Sequence, residues 1–100
     1  MICSLILALS LPTHANAAPT GGQICTKMIA DGRGGGLDQA GCLCLHRVSD
    51  AVLDDDIKAL LFASWYDGTD NMQAIEQLPR QNRVRRQMRT LQRSIEANCG

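Results

Sequence analysis

The segment Cys42-Leu43-Cys44-Leu45-His46 carries the side chains best suited to chemistry. Two thiols and an imidazole are soft or borderline ligands, and Met28, Met72 and Met88 could add thioethers around Cu(I). A Cys-x-Cys pair could also exchange with a disulfide through its thiolate. Both chemistries need free thiols. Redox pairs sit at a helix N-terminus beside a cleft, where the dipole lowers the thiol pKa. Here the cysteines lie inside an apolar helical run, with Cys25 and Cys99 available to pair with them. A helix advances about 100° per residue, so Cys42 and His46 share a side and Cys44 does not. His46 is expected in solvent, and no metal site is expected. Soft-metal binding or thiol redox through Cys42, Cys44 and His46 is therefore the alternative reading. Crosslinking is the first.

The number of available thiols depends on the N-terminus. Leu5 to Leu11 is an apolar run, too short to span a bilayer. Pro12 and Thr13 break it, and Ala15-Asn16-Ala17 supplies the small residues of a signal-peptidase site. Residues 1–17 are read as a signal peptide, although Met1 to Ser4 lacks the usual Lys or Arg. Residues 18–22 are expected to be flexible, and residues 23–100 to form one domain.

Removing residues 1–17 removes Cys3 and leaves Cys25, Cys42, Cys44 and Cys99. An even count in a small exported chain reads as a disulfide framework. A bond between Cys42 and Cys44 would strain the bridge geometry. Two pairings remain: 25–42 with 44–99, or 25–44 with 42–99. Cys44 and Cys99 both fall on core-facing helical stripes, which favours the first pairing and leaves the second open.

The elements that position these thiols are helical. Ile24, Cys25, Met28 and Ile29 recur at helical spacing over residues 23–31. The run Gly32-Arg33-Gly34-Gly35-Gly36 ends that helix and permits a reversal. A second helix is predicted over residues 37–52, with Leu37, Cys44, Leu45, Val48, Ala51 and Val52 on one face. A third follows Asp54-Asp55-Asp56, with Asp54 as N-cap, and turns Ile57, Leu60, Leu61, Ser64 and Trp65 inward. A short helix fits residues 71–77, before Pro79. The last, over residues 80–98, aligns Val84, Met88, Leu91, Ile95 and Cys99. The fold class is all-α, a small array of three to four helices stapled by two disulfides. Phe62, Trp65 and Tyr66 are the only aromatic side chains, so the core is thin and needs covalent support.

Charge is polarised along the chain. Residues 79–100 hold Arg80, Arg83, Arg85, Arg86, Arg89 and Arg93 against Glu96, although the whole chain has zero net charge. The balancing carboxylates lie earlier. Charge of this kind bears on partners rather than on fold. Arg suits bidentate contact with carboxylate or phosphate. The expected binding residues are Arg85, Arg86, Arg89 and Arg93, facing an acidic protein or an anionic membrane surface. Nucleic acid is not an expected partner in an exported protein. No nucleophile–base arrangement, paired-carboxylate cleft or phosphate loop is visible, so an enzyme is not expected and no cofactor is implied.

The layout Cys25…Cys42-x-Cys44…Cys99 resembles a group of small exported bacterial proteins with an early Cys, a Cys-x-Cys and a terminal Cys. Most lack an assigned activity, and some carry the label arginine transporter. The resemblance spans residues 25–99 and implies a periplasmic helical protein. Many of the group have a lipoprotein cysteine at the end of the signal, whereas Cys3 here precedes the apolar run.

Protein purified from its exported compartment should react with no thiol reagent until reduced. Intact mass before and after reduction and alkylation would count the bridges. Two or more reactive thiols in the unreduced protein would restore the metal or redox reading.

Overall fold

The computed structural model describes residues 18–100, and the expected signal peptide lies outside the described residues. Five helices follow one another: α1 (Gly21–Ala30), α2 (Gln39–Val52), α3 (Asp55–Asp67), α4 (Met72–Glu76) and α5 (Gln81–Cys99). There is no strand among the described residues, so the fold is all-α.

Local chemistry sets the ends of α1 and α2. The Thr20 hydroxyl accepts from the Gln23 N–H at 3.1 Å, and the Gln23 side chain accepts from the Thr20 N–H at 2.9 Å. This reciprocal cap starts α1 two residues earlier than the apolar periodicity indicates. Gly21 and Gly22 are therefore helical, which corrects the expectation of a flexible segment running to residue 22. The Asp38 carboxylate accepts from the Gly41 N–H at 2.8 Å and begins α2 at Gln39. Leu37 is consequently outside α2 and packs beside the α1–α2 bridge.

Asp54 occupies the N-cap position of α3, but its side chain makes no capping bond. It binds Arg83 of α5 instead. The opposite end of α3 closes on Gly68 in the left-handed region, at φ 80°. Arg33, in the glycine turn, crosses to that end. Its guanidinium donates to the carbonyls of Trp65 at 2.7 Å and Tyr66 at 3.0 Å. A cation therefore meets the negative pole of α3 and satisfies carbonyls left open by the end of the helix.

Two apolar clusters form the interior. Leu53, Ile57, Ile75, Val84 and Leu91 join the α2–α3 junction to α4 and α5. Cys25, Met28 and Cys42 form the second cluster, covered by Ile29, Leu37, Leu43 and Trp65. The disulfides are Cys25–Cys42 and Cys44–Cys99. The first ties α1 to α2, and the second ties α2 to the end of α5. Ser49 is fully buried on α2, where its hydroxyl donates to the Leu45 carbonyl at 2.8 Å.

The Cys44–Cys99 bridge closes a sequence separation of 55 residues, worth about 4 kcal/mol of loop entropy. Replacing either cysteine with Ser should lower the thermal midpoint by about 15 °C or more. A calorimetric scan in which the variant and the oxidised parent melt together would contradict this.

Candidate binding face

Helix α5 presents three surfaces. Val84 and Leu91 are buried, and Met88 and Ile95 pack against them. Arg85, Arg86, Arg89 and Arg93 are all exposed on the other side. At helical spacing they fall within an arc of about 100°, and Arg85 and Arg93 are about 12 Å apart along the axis. None of the four meets a carboxylate within ion-pair distance among the described residues. Arg85 is steadied by its own helix, donating to the Asn82 side chain at 2.6 Å. Glu96 is exposed on the same arc, one turn beyond Arg93.

Arg83 belongs to the third surface and has a different task. It is only 7% exposed. Its Nη1 donates to Asp54 at 2.9 Å and to Asp56 at 2.8 Å. Its Nη2 reaches the second oxygen of Asp56 at 3.0 Å and the Pro79 carbonyl at 2.8 Å. Nε alone has no partner among the described residues. The hydrogen bonds from Arg83 hold the Asp54 and Asp56 carboxyls below the usual carboxylate range, and the same pairs raise the Arg83 pKa. Arg83 therefore locks α5 to the start of α3 and is not part of the exposed basic arc.

The carboxylates elsewhere are partly neutralised. Lys58 binds Asp50 at 3.0 Å and approaches Asp55 at 3.5 Å. Asp31 meets both Lys27 and Arg33. Exposed positive charge without a carboxylate partner is thus concentrated on α5.

The Cys42-x-Cys44-x-His46 segment does not converge. Cys42 turns toward α1 and Cys44 toward α5, each into its own bridge. His46 is half-buried rather than free in solvent, because its ring stacks on Phe62 with centroids 4.3 Å apart. Gly21 makes the stack possible: a Cβ there would lie 2.7 Å from His46 Nδ1. No group of three or more metal-ligating side chains occurs among the described residues.

The roles of Arg33, Arg83 and His46 were not read from the sequence. For Arg83 a signal existed. It stands off the arc of the other arginines on α5, and the triad Asp54-Asp55-Asp56 supplies more charge than one helix start uses.

Comparison of the chain with family models, with curated proteins and with solved structures returns no match.

The depressed carboxyls give a pH prediction. A carboxyl with a lowered folded-state pKa stabilises the fold above about pH 4, and that stabilisation disappears as pH falls through the lowered value. Arg83→Met removes the cause. The variant should be less stable at pH 7, and its stability should fall less steeply than the parent's between about pH 4 and pH 2. Urea midpoints measured across that range would show it, and parallel curves would refute it.

Proposed function

We propose that this protein is an exported, non-catalytic interaction module whose basic α5 face binds an anionic partner. The observation that carries this reading is the arc of Arg85, Arg86, Arg89 and Arg93, exposed and without a carboxylate partner among the described residues. Four guanidiniums over about 12 Å suit a row of carboxylates, because each can contact one in a bidentate fashion. An acidic protein surface fits better than a bilayer. Val84 and Leu91 are buried in the core, which leaves α5 only the half-buried Met88 and Ile95 to insert among lipid chains. No helix among the described residues is long and apolar enough to cross a membrane. Two disulfides suit an oxidising compartment, which supports a periplasmic or secreted location.

Binding to poly-glutamate and to phosphatidylglycerol vesicles would test the reading. Poly-glutamate should bind more tightly at low salt and weaken as salt rises. The double variant Arg89→Glu/Arg93→Glu should lose about tenfold or more in affinity with an unchanged helical circular dichroism spectrum. Vesicle binding of equal strength would move the assignment to anionic lipid. Affinity that ignores both the substitutions and salt would rule out the arginine face.

A further inference from the structure

The two disulfides differ sharply in their surroundings. Cys25 and Cys42 are both 0% exposed and sit inside an apolar cluster. Cys44 and Cys99 are both only half-buried. Cys99 is also the last helical residue of α5. Before it, Glu96, Ala97 and Asn98 are all exposed, and Ile95 is the last residue of α5 packed against the core. The final turn of α5 is therefore tied to α2 chiefly by one sulfur–sulfur bond. A crevice of about 370 Å³ between α2 and α5, lined by Arg47, Val48, Ser94 and Asn98 among others, opens beside that turn.

Attack on a disulfide requires a thiolate to reach one sulfur along the bond axis, so access divides labile bridges from inert ones. A helix end held by few contacts also opens at far lower cost than a core element. We propose that Cys44–Cys99 is a thiol-exchange site, acted on by a dithiol reductant, while Cys25–Cys42 is inert. In the first step a thiolate of the dithiol attacks one sulfur of the bridge, forming a mixed disulfide and releasing the other cysteine as a thiolate. The second thiol of the reductant then displaces the protein. The dithiol leaves as its own disulfide, and Cys44 and Cys99 gain two electrons and two protons. Reduction releases the end of α5 from α2, while the Arg83 ion pairs and the buried Val84 and Leu91 still hold the rest of that helix.

The test is native-state reduction with dithiothreitol, followed by alkylation and peptide mapping. Cys44 and Cys99 should be labelled about tenfold or more faster than Cys25 and Cys42. Hydrogen exchange on the partly reduced protein should quicken most at residues 96–99, with residues 24–28 still far slower than in the unfolded chain. Labelling of all four cysteines at one rate would overturn the proposal, since exchange would then require global unfolding. Labelling of Cys25 and Cys42 first, or of no cysteine without denaturant, would do the same. So would a loss of amide protection throughout the chain on selective reduction of Cys44–Cys99.

Discussion

Two cysteines separated by one residue on α2 hold this molecule together. Residues i and i+2 of a helix point about 200° apart, so they cannot serve the same neighbour. Cys42 reaches α1 and Cys44 reaches the last residue of α5. Helix α2 thus becomes the element to which both ends of the described chain are covalently joined. In a domain with three aromatic side chains and two small apolar clusters, this matters more than it would in a larger protein. The same geometry denies the segment any thiol chemistry of its own as long as both bridges are closed.

The arginines divide the remaining work. Arg33 and Arg83 act inward, one on the carbonyls at the end of α3 and the other on the carboxylates at its start. Helix α3 is therefore clamped at both poles by guanidiniums: Arg33 complements the negative pole directly, and Arg83 binds the carboxylates that sit at the positive one. Arg85, Arg86, Arg89 and Arg93 have no such partner among the described residues and remain on the outer surface of α5. Asp54 and Asp56 are taken up by Arg83, on a different side of α5 from those four. Fold and candidate site thus meet on one helix.

A stapled scaffold suits the proposed arginine surface. Locking α5 from Arg83 at its start to Cys99 at its end fixes the spacing of the arginines between them. A row of guanidiniums on a rigid helix loses little freedom when it meets carboxylates, so more of the contact energy remains as affinity. The bridge at the end of α5 is also the more accessible of the two, so covalent order and chemical vulnerability meet at one place.

Much of this was legible from residue types and spacing. The all-α class, the glycine reversal and the apolar stripe of α5 follow from periodicity and backbone propensity, which act within one turn. The disulfide pairing was narrowed to two by residue spacing, with the observed one favoured because a helix of known phase leaves few directions for two sulfurs. The start of α1 at the Thr20–Gln23 cap was present in the residues but overshadowed by periodicity. The carboxylate of Asp54, the burial of Arg83, the reach of Arg33 and the stacking of His46 on Phe62 were decided only by tertiary structure. Each depends on groups from 16 to 33 residues away, and long polar side chains choose partners by where the backbone delivers them. Local sequence settles which helices form and which side they bury; only packing settles which charges cancel and which remain for a partner.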